Sequence, residues 1–259
     1  MGVMATNAGK RRECETENGK KLRFLCLVLL FLLAVFAVAF FSRMPGSNVS
    51  DSQDGKLDAM YRHAMKDAEV AEESEIFRNL TSITESNSAL LFDGEGRVQV
   101  ATWTGWDGYF NKTNLNLSSE VWVTIVPEIR TRIKDAGRVS NLTLRVAQLL
   151  GMPKNRVTKW FVELWVNPSD IFRPCPDPEI TDRECQLDFP QNVSAEHVLW
   201  FNNLRNTSYA DENGCCPWTR LGYTYDWGGE SEIGLSEFVV RKGAEVQVGA
   251  IYTTDDYFK

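Results

Sequence analysis

The spacing of apolar residues changes from segment to segment, and it divides the chain before any other property is considered. From Phe24 to Phe41 eighteen consecutive residues are apolar, with no charge, amide or proline among them. A helix of that length reaches about 27 Å, and Leu22 with a slight tilt covers the rest of a ~30 Å hydrocarbon core. Backbone groups in lipid have no water to pair with, so a helix is the state open to this run. A buried soluble helix would carry a polar side, and this stretch has none. Residues 43–56, with Pro45, Gly46, Ser47, Asp51 and Gly55, lose all periodicity and read as a linker. Helical spacing returns at Leu57, Met60, Tyr61, Ala64, Met65 and Ala68, continuing through Ala71, Ile76, Phe77 and Leu80. Three roles suit that stripe: a stalk, a seam joining two copies as a homodimer through residues 57–80, or a helix packed on the domain. His63 falls on its polar side and reads as solvated.

A compact domain is expected over residues 88–259. Ala89–Phe92 and Arg97–Thr102 flank the turn Asp93-Gly94-Glu95-Gly96 and read as a hairpin. Val121–Val126 reads as a core strand and Pro127–Lys134 as a helix. Ser140 or Asn141 caps a helix that runs to Leu150 and is stopped by Gly151 and Pro153. Lys159–Val166 is a strand covered on both faces, and Ser194 caps a helix to about Arg205. Ser236–Val240, the turn Arg241-Lys242-Gly243-Ala244 and Glu245–Tyr252 read as a closing hairpin. Helices and strands mix without a βαβ rhythm, so the fold class is α+β, with a single transmembrane helix and a short stalk before one mixed ectodomain.

Charge gives the anchor a direction. Residues 1–23 form a basic tail of net +3, which leaves −10 for the remainder of a chain whose total is −7. Cations held before the span put the N-terminus in the cytoplasm and the C-terminal domain on the lumenal or extracellular side. The competing reading is a cleavable signal peptide, but its only Ala-x-Ala site, Ala37-Val38-Ala39, lies inside the apolar run. Seven sequons, at Asn48, Asn79, Asn111, Asn116, Asn141, Asn192 and Asn206, all follow the span. Fourteen asparagines lie there, of which chance would make about two into sequons. Their number points to a glycoprotein of the secretory pathway.

Composition (43% hydrophobic, 24% charged) is globular, and a sequence pI near 5.1 argues against a nucleic-acid partner. Two histidines, His63 and His197, exclude a multi-histidine metal centre; no metal and no cofactor are expected. Cys14 and Cys26 precede the exported part, Cys26 being a candidate for palmitoylation. Of the four exported cysteines, Cys175 and Cys185 bracket a nine-residue proline-bearing loop and are expected to form a disulfide. Cys215 and Cys216 are left to bond each other, pair with another chain, or stay reduced. A four-thiolate zinc site lacks any C-x-x-C spacing.

No phosphate-binding loop, nucleotide fingerprint or nucleophile elbow occurs, and no Asp-x-Asp glycosyltransferase motif. Two pinned loops, 167–177 and 217–229, concentrate Arg, Asp and aromatic residues. The runs Phe161–Val166, Phe172–Ile180 with Cys185, and Pro217–Gly228 resemble a small family of uncharacterised bacterial secreted proteins, over about residues 120–250. That resemblance implies no activity. Glu163 with Asp226, or Asp177 with Glu179, are candidates for glycosidase acid–base work if they stand about 5–9 Å apart. Trp218, Tyr223, Tyr225 and Trp227 are candidate sugar-stacking residues, and Arg173 and Arg220 candidate anion holders. The simpler reading has these aromatics filling a core and the arginines pairing with Asp170, Asp177 or Asp226 to pin loops. His197, the lone histidine of the domain, is read as structural. The expectation is a membrane-anchored type II glycoprotein whose ectodomain is a binding or accessory module for a carbohydrate or protein ligand. The alternative is a tethered carbohydrate-active enzyme with a pocket joining the two loops.

Overall fold

The computed structural model describes residues 49–156, 158–209 and 216–259. The basic tail, the apolar run 24–41, Asn48 and Cys215 lie outside the described residues. Among the described residues no helix is long and apolar enough to cross a membrane.

The domain is mixed α+β, built on eight strands that all pair antiparallel. The strands are β1 (Val98–Thr104), β2 (Asn114–Asn116), β3 (Val121–Ile125), β4 (Trp160–Val166), β5 (Ile171–Phe172), β6 (Tyr223–Tyr225), β7 (Ile233–Val240) and β8 (Glu245–Thr253). Their order is β2-β8-β4-β1-β3-β7-β5, and β6 pairs with the first half of β7. The expected hairpin of β7 and β8 is therefore not formed: β4, β1 and β3 stand between them. Four strand spacings measure about 19 Å in a flat sheet. Five Cα steps from Val240 to Glu245 reach at most about 18 Å, and the Ala244 N–H to Arg241 O bond shortens them further. The sheet must curl to bring those ends together. Alternate residues then meet inside the curl, where Val100, Val123, Leu164, Phe238, Val240 and Val246 share one buried cluster.

The other face is covered by helices. In α2 (Val126–Asp135), Pro127 occupies the first turn, where its missing N–H costs nothing, and Val126, Ile129 and Ile133 lie buried on one side. Asn141 caps α3 (Leu142–Leu149) by accepting the Leu144 N–H at 3.0 Å. That helix ends at Gly151, with φ +66, where Met152 N–H bonds Ala147 O and Gly151 N–H bonds Gln148 O. Two crossed bonds around a left-handed glycine satisfy the last carbonyls and throw Met152 back across the helix end. With α5 (Thr254–Tyr257), these helices pack on Ala101, Trp103, Phe161 and Leu235. In α4 (Ala195–Thr207), Ser194 accepts the His197 N–H, as expected from its position. The expected first hairpin shortens to a single bridge between Phe92 and Val98 around the Asp93 turn.

The N-terminal stripe divides differently from its expected bounds. Helix α1 (Val49–Asp67) takes in part of the expected linker and ends before the expected Leu80; a 3-10 turn follows at Glu73–Glu75. The compact unit runs from Asp54 to Lys259, so residues 54–87 belong to it rather than standing off as a stalk. Of the three roles open to the stripe, packing on the domain is the one seen: Ala64 is buried with Tyr225 and Trp227, and Tyr61 meets Trp227 edge-on at 5.5 Å. His63 is exposed.

Candidate functional site

Most of the polar groups picked out in the two loops are spent within the fold. Arg173 is fully buried. Its guanidinium bonds the Asp182 carboxylate and the carbonyls of Glu179 at 3.0 Å, Asp182 at 2.7 Å and Thr81 at 3.0 Å. Asp177, Glu179 and Asp182 bring a carboxylate oxygen each within 4.8 Å of one another, and Arg173 supplies the compensating charge. Burial first, then the neighbouring acids, raises the Asp177 carboxyl. Cys175 and Cys185 form the expected disulfide beneath this knot. Arg220, in a left-handed conformation at φ +59, donates to Ala68 O just past α1. Both arginines are loop pins, as the simpler reading has them, but their acceptors are Asp182 and carbonyls rather than the expected Asp170, Asp177 or Asp226.

The acid pairs are likewise engaged. Asp226 takes both nitrogens of Arg145, at 2.7 and 2.6 Å, and the Gly228 N–H at 3.2 Å. Glu163 accepts from Gln99 at 3.0 Å and from Arg130 at 2.7 Å, whose guanidinium lies over the Tyr257 ring. The polar tips of the aromatic run serve the N-terminal segment and nearby backbone: Tyr223 donates to Glu75 O, Tyr225 to Asp67, and Trp227 to Met152 O. His197 donates to Cys175 O at 2.8 Å, and burial lowers its pKa, which fits a structural role. The two loops do meet, since Trp218 Nε1 bonds Pro174 O at 2.9 Å, but they meet as packed core.

The concave site lies elsewhere, where the sheet divides. Strands β1 and β4 pair along the whole of β1, and β3 pairs with β7 from Val121 to Thr124. Between β1 and β3 the register covers only Val100–Ile125 and Ala101–Thr124. Beyond those two pairs residues 102–104 and 121–123 diverge, and a cleft of about 380 Å³ opens between them. Trp103, Trp106, Tyr109 and Trp122 line it from this side. Leu150 and Met152, placed by the turn that ends α3, make part of the opposite wall with Pro217 and Trp218. Trp218 is the one residue from the aromatic candidates that reaches the cleft; none of residues 167–177 does.

At the apex of the divergence Glu237 stands opposite Thr124 on the helix-covered face. No hydrogen bond or ion pair engages its carboxyl among the described residues, and burial pushes its pKa up to about 8. Along the same face the cross-strand neighbours run Glu237, Thr124, Ala101, Glu163. Three strand spacings, about 14 Å, separate the two acids, beyond a glycosidase pair. Sequence reasoning passed over Glu237 because alternation on β7 placed it among buried residues without showing that the opposing strand pair opens there. A glutamate flanked by Leu235 and Val239 on the same face of the strand was the available signal. The asparagines of the sequons leave the cleft clear: Asn79, Asn111, Asn116, Asn141, Asn192 and Asn206 are all exposed, and none lines it. No protein-family model, curated protein or solved structure matches this chain.

Proposed function

We propose that the chain is a single-pass type II membrane glycoprotein, held in the bilayer by residues 24–41, whose C-terminal domain binds a small ligand in the cleft between β1 and β3. The observation that carries the reading is an aromatic-walled cavity at a split in the sheet, with one carboxyl that has no partner among the described residues. Cavities of this size with few convergent polar groups are where small molecules bind. The diverging strands add backbone groups that are not paired with each other. Fragment screening by fluorine NMR on the full chain in nanodiscs tests it. Hits should lose binding in Trp122→Ala and keep it in Trp227→Ala, whose indole serves the fold. Hits that ignore Trp122→Ala would overturn the assignment. Protease protection that left the C-terminal domain on the cytosolic side, without sugar, would overturn the topology.

One observation favours a second reading, a tethered carbohydrate-active enzyme. A carboxyl protonated near neutrality suits a general acid, and here Glu237 takes that part in place of Glu163, Asp177 or Asp226. Among the described residues the other carboxylate on the lining, Glu120, accepts the Trp200 indole N–H at 2.8 Å. Turnover of glycosides that disappears in Glu237→Gln would establish this reading over simple binding.

A further inference from the structure

Resting on the binding reading above, we infer that the cleft takes a small organic cation, an aryl- or alkylammonium ion, with Glu237 as its counter-ion. The argument begins with the walls. Trp122 meets Trp218 edge-on at 6.2 Å, and Tyr209 stands 6.1 Å from the first and 5.0 Å from the second. Three rings inclined by 48–87° to one another form a corner on the cleft rather than a flat stack. Inclined aromatic rings present several electron-rich faces to one point, which is the arrangement that holds an ammonium group.

Charge points the same way. Among the described residues the ionisable groups on the lining are Glu237, Glu120, Arg156, Tyr109, Tyr209 and Cys216. Arg156 is exposed, so an anion entering the cleft would leave the one cation behind and approach two acids. Burial holds the Tyr109 phenol up at about 12, so it brings no charge near neutral pH. A neutral ligand would leave the Glu237 carboxyl protonated. An ammonium ion instead ionises it: the carboxyl proton passes to solvent, and the new carboxylate accepts the ammonium N–H groups. Thr102 and Thr124 on the lining offer oxygens to the remaining N–H bonds.

Calorimetry on the full chain in nanodiscs, against empty nanodiscs, tests the inference with phenethylamine and its neutral isostere 2-phenylethanol. Only the ionised form of Glu237 pairs with the amine, and that fraction rises from about 1% at pH 6 to about half at pH 8. Amine affinity should therefore climb about fifty-fold over this interval, with proton release seen as a dependence on buffer ionisation enthalpy. Alcohol binding should not change with pH. In Glu237→Gln the amine should bind no better than the alcohol, and the trend should vanish. Alcohol binding with a flat or falling amine profile in the wild type would overturn the cation and leave the cleft as a binding site. Failure of both probes to bind folded wild-type protein at any pH would overturn the binding reading itself. If the Gln variant does not fold, the wild-type pH profile and proton release decide between these outcomes.

Discussion

Replacing Glu237 by Gln should make the protein more stable at alkaline pH while changing little in acid. Among the described residues the carboxyl has no partner, and the fold raises its pKa from 4.5 to about 8. Between those values the folded protein keeps a proton that the unfolded chain has released. Stability therefore falls as pH rises from about 4.5 to about 8, and levels off above. A shift of that size corresponds to at most about 5 kcal/mol. Linkage ties the lost stability to the shift itself, so about 5 kcal/mol is the expected loss above pH 8. For a unit of roughly 200 residues this is about 10–20 °C in melting temperature. The Gln amide is uncharged at every pH. Melts of wild type and Glu237→Gln, recorded from pH 5 to 8.5 in nanodiscs, should differ little at pH 5 and separate by that amount at pH 8.5. Taking the difference removes groups common to both, including His197, whose lowered pKa makes stability fall in the opposite direction, as pH drops below about 6.5. A difference that stays flat across this range would refute the claim that the fold holds Glu237 protonated.

Arg145→Ala leaves Asp226 buried with the Gly228 N–H as its remaining partner, and should cost about 3–5 kcal/mol in chemical denaturation. Gly234→Ala puts a Cβ 2.2 Å from Thr224 Oγ1 and 2.8 Å from Leu149 O, between strand and helix end. It should lose about 3 kcal/mol or fail to accumulate. Gly94→Ala, with nothing within 4 Å, should stay within about 0.5 kcal/mol of wild type when the two are melted side by side. Cys185→Ser opens a bond closing a ten-residue separation and should cost about 2–3 kcal/mol. Reductant should then lower the melting temperature of the wild type but not of the variant.

Local signals were legible where one residue type answers one backbone need. Asn141 and Ser194 were readable as caps because a short oxygen-bearing side chain satisfies the first free N–H groups of a helix, and both do so. Gly151 was readable as a stop because left-handed backbone favours glycine. The Cys175–Cys185 bond followed from a short proline-bearing loop between two cysteines. Apolar alternation in Val121–Val126 and Lys159–Val166 marked strands that are present within a residue or two. The same alternation was silent on partners, so the four-residue turn at 241–244 read as a hairpin although it links strands on far sides of a curled sheet.

The sequence by itself determined the ends of elements that carry their own signal, such as the Asn141 and Ser194 caps and the Gly151 stop, since caps and turns act over a few residues. It also carries the charge asymmetry and the apolar run on which the proposed topology rests. Tertiary structure decided what each polar group is for. Asp226 and Arg145 lie 81 positions apart, and Arg220 reaches across 152 positions to Ala68 O. No local rule distinguishes such a pin from a binding residue. The cleft is further from sequence still, because it arises where β1 and β3 stop pairing. Whether strands continue to pair depends on the twist and packing of the whole sheet, and that is why Glu237 became visible only in three dimensions.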